Sequence, residues 1–202
     1  LTVLIRDIVF DIGRVIVAID PEPMLDFLAS RGAPRLGLND TLEHIGLGEH
    51  ETGSMDGAGL IERFRKLAPQ ASHDELRAQW LGMFSPHHDM IRLANQVTPH
   101  HGVYLLSNIG DLHWEYLVEH HGVASIGHGA LTSFHAGVMK PHSAIYEQAE
   151  KKFDLVPAST VFIDDRAENI EAARARGWHG IIHRNFNDTR QALLRLGVEA
   201  AR

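Results

Sequence analysis

The sequence predicts an α/β fold: a Rossmann-like, doubly wound parallel sheet with a small helical insertion after its first strand. Short runs apolar on both faces recur along the chain, and helix-like segments alternate with them. The gap after the first run is long and carries helical rather than strand periodicity. The 202 residues suffice for one full core plus a small insertion. Hydrophobic residues make up 44% and charged residues 22%, the balance of an ordinary globular chain.

Residues 3–10 form the first β-branched run, with Asp11 at its end and Gly13 just beyond. The start, Leu1-Thr2-Val3-Leu4-Ile5-Arg6-Asp7, has no basic leader and no small-residue cleavage site, so it reads as the run-in to that strand. From about 21 to 86 the periodicity is helical. Met24, Leu25, Phe27 and Leu28 line one face, Ile61, Phe64 and Leu67 a second, and Leu76, Trp80 and Phe84 a third. Residues 40–45 supply a further short helix, and glycines from Gly32 to Gly57 punctuate the gaps. Later strands are expected at 102–106, 160–163 and 180–182, with 122–126 a weaker candidate. Helices are expected at 112–120, 143–152, 169–176 and 189–196, which completes the alternation and implies right-handed crossovers.

Lys plus Arg count 19 against 26 for Asp plus Glu, a net charge of −7 that disfavours nucleic acid and anionic membranes as partners. The chain has no cysteine, so thiolate zinc sites, cysteine nucleophiles and disulfides are excluded, which fits a cytoplasmic setting. No apolar run reaches membrane-spanning length. Three histidine pairs, His87-His88, His100-His101 and His120-His121, lack a partnered carboxylate motif and read as surface or turn residues. Trp80, Trp114 and Trp178 read as packing residues.

In doubly wound sheets, ligands bind beyond the carboxyl ends of the strands. Asp11 follows the first strand, Ser107-Asn108 the second and Asp164-Asp165 the third. Carboxylates so gathered repel one another, so a hard cation is expected among them. Mg2+ with retained waters is the usual choice beside phosphate. A carboxylate could then attack phosphorus and form an aspartyl-phosphate that water hydrolyses. Lys140, in Val138-Met139-Lys140-Pro141, would add positive charge just before a helix starting near Pro141.

Phe10-Asp11-Ile12-Gly13-Arg14-Val15, Leu106-Ser107-Asn108, Gly137-Val138-Met139-Lys140-Pro141 and Phe162-Ile163-Asp164-Asp165 resemble the four ordered motifs of haloacid dehalogenase-like hydrolases. Within that superfamily the chain looks most like the bacterial alpha-D-glucose-1-phosphate phosphatase type. The shared features are Asp-x-Gly in the first motif, Glu51-Thr52-Gly53 in the insertion, and Asp164-Asp165 followed by Asn169. The resemblance implies a core domain of residues 1–19 and 87–202 and a helical cap domain of residues 20–86. It implies a phosphatase that hydrolyses a small phosphorylated metabolite, a sugar phosphate above all, with Mg2+ as cofactor. It makes Asp11 the nucleophile and a metal ligand, joined on the metal by the backbone carbonyl of Gly13, by Asp165, and by Asp164 directly or through water. Ser107, Asn108 and Lys140 would grip the phosphoryl group, and Lys140→Ala would lower activity without unfolding the protein.

The chain departs from the motif at Gly13, where many superfamily phosphatases carry an Asp as general acid and base. That contribution is worth roughly 10²–10⁴-fold in rate. Three readings follow. Another group or a good leaving group compensates; or the protein is a weak or inactive phosphate- or partner-binding module; or it is a metal-free 2-haloacid dehalogenase in which Asp11 attacks carbon. The Asp164-Asp165 pair opposes the last, because extra negative charge beside the nucleophile gains nothing without a cation. Arg14 is unusual at its position and would either assist phosphate binding or reach a cap carboxylate. Asn169 reads as a residue closing the loop after Asp165, and Asp20 and Glu51 as candidates to face the substrate from the cap side.

Overall fold

The computed structural model describes residues 4–199, so the expectation for residues 1–3 lies outside the described residues. The first strand, β1, is Asp7–Phe10, and a second short strand, β2 (Val17–Ile19), follows the turn after Asp11. Five helices come next: α1 (Glu22–Ser30), α2 (Leu38–His44), α3 (Leu47–Glu51), α4 (Gly57–Leu67) and α5 (His73–Leu81). Strand β3 (Phe84–Pro86) returns antiparallel to β2, and α6 (His88–Val97) leads into β4 (Gly102–Ser107) and α7 (Asp111–His121). The remaining elements are β5 (Gly129–Thr132), α8 (Ser133–Ala136), α9 (Ser143–Phe153), β6 (Thr160–Asp164), α10 (Ala167–Ala175), β7 (His179–Ile182) and α11 (Phe186–Arg195).

Five strands form one parallel sheet in the order β5-β4-β1-β6-β7, flanked by helices as the sequence predicts. The apolar-on-both-faces pattern has a direct structural meaning. Ile8 and Phe10 of β1 pack with Val103, Leu105, Val161 and Ile163 on one face, whereas Val9, Leu106 and Phe162 pack on the other. These side chains are all but fully buried, and each such residue contributes about 1.5–3 kcal/mol relative to exposure. A separate apolar cluster joins α1, α4 and α5 through Met24, Leu28, Leu60, Phe64, Leu76 and Trp80. Helix α5 opens on a reciprocal cap in which Ser72 accepts from the Glu75 amide and the Glu75 carboxylate accepts from the Ser72 amide.

Several boundaries differ from the sequence reading. Residues 122–126 are not a strand: Gly122 closes α7 with φ 62°, and Val123–Ser125 make a single 3-10 turn. Val123 and Ile126 are apolar because they plug the core, and the edge strand is displaced to β5. Phe84 belongs to β3 rather than to the helical stripe with Leu76 and Trp80. The helix after Lys140 begins at Ser143, capped by His142 Nδ1 accepting from the Ala144 amide, so Pro141 lies before it, in the turn. The β2–β3 ribbon and the short helices α3 and α8 lie outside the sequence reading. So does α6, although Met90, Leu93, Ala94 and Val97 carry a clear helical spacing.

Candidate active site

Because the sheet is parallel, the carboxyl ends of β1, β4, β5 and β6 all meet one edge. The Asp11 amide donates to the Ile163 carbonyl (2.9 Å), which sets the nucleophile candidate beside the end of β6. Asp11, Asp164 and Asp165 each offer an oxygen within 4.8 Å of the others, and among the described residues this is the group with metal-ligating geometry. Lys140 lies 2.9 Å from Asp11 Oδ1 and 2.7 Å from Asp164 Oδ2, and its Nζ also donates to the Leu106 carbonyl (2.9 Å).

Three carboxylates against one buried ammonium, with Arg14 4.0 Å from Asp165, leave a net negative charge that a cation would balance. The all-oxygen donor set suits a hard ion. Burial pushes the Asp11 carboxyl up to about 6; the Lys140 charge works against that rise and Asp164 adds to it. Burial likewise raises Asp165, helped by Asp164 and opposed by Arg14. Burial disfavours the Lys140 charge, but Asp11 and Asp164 outweigh it and hold the ammonium above its ordinary pKa.

The two acidic residues of the last motif differ in setting. Asp164 is fully buried and its oxygens are crowded with donors: Lys140 Nζ, the Arg166 amide (2.8 Å) and Asn169 Nδ2 (3.0 Å to each oxygen). Asp165 is more open, with Arg14 Nε 4.0 Å away. Arg14 therefore turns toward the last motif and not toward a carboxylate of the insertion. Asn169 holds Asp164, which gives physical content to its loop-closing role. Asn108 is engaged as a clamp: its Nδ2 donates to the Lys140 carbonyl (2.9 Å) and its Oδ1 accepts from the Lys140 amide (2.8 Å). Its side chain fixes the lysine turn. Ser107 is buried at the last position of β4. Asp20 is exposed and its Oδ1 accepts from the Glu22 amide (3.2 Å), a local turn contact.

A cavity of about 220 Å³ opens over this edge. Gly13, Ser107, Asn108 and Arg14 contribute from the sheet side, and Leu42, Leu47, Glu51 and Trp80 from the helical insertion. The size suits a small ligand, below the usual range of drug-sized clefts. Glu51 is the polar residue of the insertion that the cavity exposes, and only its Glu-x-Gly setting drew attention to it in the sequence. Among the histidine pairs, His87 Nδ1 lies 3.1 Å from the Val15 carbonyl and His101 Nδ1 3.1 Å from the Ile5 carbonyl, contacts that tie distant segments to the backbone on either side of β1.

His113 joins the insertion to the core. It stacks on Trp80 (4.2 Å between centroids, 21°), meets Phe84 edge-on (4.6 Å) and bonds the Trp80 carbonyl through Nε2 (3.0 Å). Burial drives its pKa down to about 3, so it is neutral in the folded protein. Because the folded pKa lies below the unfolded value, His113 contributes stability that is whole above about pH 6.5 and is lost as pH falls toward 3. The slope approaches 1.4 kcal/mol per pH unit. His113→Gln is expected to show a shallower loss of stability than the wild type between pH 6 and 4 in urea titrations; parallel curves would refute the assignment.

A family model for haloacid dehalogenase-like hydrolases matches residues 90–177. D-ribitol-5-phosphate phosphatase of Bacteroides thetaiotaomicron is 28% identical over 94% of this chain and 97% of its own length. A haloacid dehalogenase family enzyme from the same bacterium superposes with a TM-score of 0.81 at 22% identity, covering 90% of this chain and 94% of that one. A structure of the enzyme in complex with magnesium and inorganic phosphate gives 0.78 at 22% identity, with 89% and 94% covered. No described helix is long and apolar enough to cross a membrane. The matched family model and the full-length relative support an enzyme, a hydrolase similar to those of the haloacid dehalogenase-like superfamily.

Proposed function

We propose that this hydrolase is a magnesium-dependent phosphatase acting on a small phosphorylated metabolite, a sugar or polyol phosphate, through an aspartyl-phosphate on Asp11. The observation that carries the reading is the Asp11–Asp164–Asp165 group with Lys140 buried against it. The charge surplus suits a phosphatase that works with a cation and argues against a metal-free dehalogenase. The D-ribitol-5-phosphate phosphatase relative supports the polyol side of the reading. The Glu-x-Gly and Asp-Asp-x-x-x-Asn features support an α-D-glucose 1-phosphate-like ester. Residues 20–86 would act as a cap on a core of residues 1–19 and 87–202, in a cytoplasmic setting.

In this reading Asp11, Asp165, the Gly13 carbonyl and, directly or through water, Asp164 would hold the ion. Bound Mg2+ would neutralise carboxylate and phosphate charge and orient the ester. Lys140 keeps Asp11 ionised and aimed while its charge faces the phosphoryl oxygens. Ser107 and the Asn108 amide donate to those oxygens at the carboxyl end of β4, where water is largely excluded. Asp11 attacks phosphorus in line with the departing ester oxygen, and the phosphoryl group passes to its carboxylate.

The test is release of inorganic phosphate from p-nitrophenyl phosphate and a panel of sugar and polyol phosphates, with Mg2+ and with EDTA. Turnover with Mg2+ alone is expected, and Asp165→Ala should raise the Mg2+ concentration required. Turnover undiminished in EDTA, or absent on every ester, would overturn the reading.

A further inference from the structure

Gly13 has no side chain to move protons, yet a carboxyl-bearing residue of the insertion, Glu51, lines the same cavity. We propose that Glu51 is the general acid and base of this site, supplied by the helical insertion in place of the carboxylate that Gly13 lacks. The inference rests on the phosphatase reading and deepens it.

Glu51 ends α3 and lines the same cavity as Gly13, Ser107 and Asn108. It stands apart from the three-aspartate group, and among the described residues its carboxyl has no hydrogen-bond or ion-pair partner. A half-buried acid without a partner is unusual in a folded protein, since such groups are normally paired or exposed. The segment that carries it is tightly fixed to the core. Gly53 sits at φ 73°, where a side chain is strained, and a Cβ there would come 2.5 Å from the Phe134 carbonyl oxygen of α8. On the other side, a Cβ on Gly110 would lie 2.1 Å from Nε2 of the buried His50. Two glycines thus allow α3 to approach the sheet edge more closely than side chains would permit.

The electrostatic setting suits proton exchange near neutrality. Burial, then Asp11, push the Glu51 carboxyl up to about 7, against the opposing charges of Lys140 and Arg166. Arg14 and His113 share the cavity wall, and burial keeps His113 neutral. On the helices packed against α3, Arg63 of α4 is taken up by Glu49, and His135 of α8 bonds Thr132 Oγ1 (2.8 Å). Glu43 and His44 lie on α2, where His44 Nδ1 bonds the Asp40 carbonyl (2.7 Å).

The chemistry closes. As the Asp11 oxygen bonds to phosphorus and the phosphorus–ester oxygen bond breaks, the Glu51 carboxyl gives its proton to the departing oxygen, which leaves as an alcohol. Water then attacks the aspartyl-phosphate and the Glu51 carboxylate takes one of its protons. The bond between phosphorus and the Asp11 oxygen breaks, releasing phosphate, and both carboxyl groups return to their starting states.

The experiment compares wild type, Glu51→Gln and Glu51→Asp in Mg2+ on two esters. One is p-nitrophenyl phosphate, whose leaving group needs no proton; the other is the sugar phosphate the wild type turns over fastest. Glu51→Gln is expected to lose roughly 10²–10⁴-fold on the sugar phosphate. On p-nitrophenyl phosphate in stopped flow, it should release about one equivalent of nitrophenolate per site in a burst and then stall, because only the second half-reaction lacks its base. Glu51→Asp should recover part of the loss. Equal losses on both esters without a burst, or no loss at all, would overturn the assignment while leaving the phosphatase reading intact. A wild type inactive on every ester would overturn both.

Discussion

Asp11→Asn is expected to abolish turnover, lowering kcat by roughly 10⁴–10⁶-fold, the order seen when a nucleophile that acts as part of a unit is removed. The neutral amide keeps the size of the side chain and can still accept from the Ile12 amide, whose bond to Asp11 Oδ1 is 2.7 Å. The fold should therefore persist, and stability should move the other way. In the wild type, burial raises the folded-state pKa of Asp11 to about 6, above its unfolded value near 3.8. The favourable contribution is whole below about pH 3.8 and is lost as pH rises through 6, so the ionised group is a net strain on the metal-free protein at pH 7 and above. Asparagine carries no such strain. Metal-free Asp11→Asn should thus match or exceed the wild-type Tm at pH 8, with the difference shrinking toward pH 5. Mg2+ should stabilise the wild type more than the variant, because the variant has one charge fewer to offer the ion. A variant that keeps more than a hundredth of wild-type turnover, with asparagine verified by mass spectrometry, would remove Asp11 from the nucleophile's role.

Much of the sheet was legible because a parallel strand covered on both sides leaves a plain mark: consecutive apolar residues, then a polar residue at or just beyond the strand end. β1, β4, β6 and β7 carry that mark, and Asp11, Ser107 and Asp164-Asp165 stand at or just beyond three of those ends. The edge strand β5 was obscure for a physical reason. It opens Gly129-Ala130 and pairs on one side only, so it needs little apolar surface, while Val123 and Ile126 beside it are apolar through packing as a turn. The β2–β3 ribbon was hidden by length, with three residues in each strand. At the site, residue identities could be read but their division of labour could not. Nothing in Ser107-Asn108 announces that the Asn108 side chain would be spent on the lysine turn, for that depends on contacts 32 residues apart. Nor does Asp164-Asp165 say which carboxylate is saturated with donors and which is free. Glu51 is harder still, since its meaning lies in a cavity made by two distant stretches of chain.

Lys140→Ala is expected to weaken the fold as well as the activity, without unfolding the protein. The Lys140 side chain is 1% exposed, and its two carboxylate partners are 10% (Asp11) and 0% (Asp164) exposed. Removing it strands two buried carboxylates and leaves the Leu106 carbonyl without its donor. Deleting one partner of a buried pair costs about 3–5 kcal/mol. For a domain of this size, that is a fall in Tm of roughly 6–20 °C. Total stability of about 5–15 kcal/mol would absorb the loss, so the variant should fold, though narrowly. The penalty comes from stranded charge and not from a missing shape, which has two measurable consequences. The isosteric Lys140→Met should recover little, because it fills the space and supplies no cation. Adding Asp11→Asn to Lys140→Ala should recover part of the loss, since one of the stranded charges disappears; the double-mutant cycle should depart from additivity by about 1–3 kcal/mol. Urea denaturation of the four proteins at pH 8 in EDTA reads that coupling directly. Additive effects, or a Lys140→Met variant as stable as the wild type, would show that the lysine fills space and does not hold the carboxylates. Arginine should also be a poor substitute, because its wide planar fork does not fit where a compact ammonium bridges three oxygens.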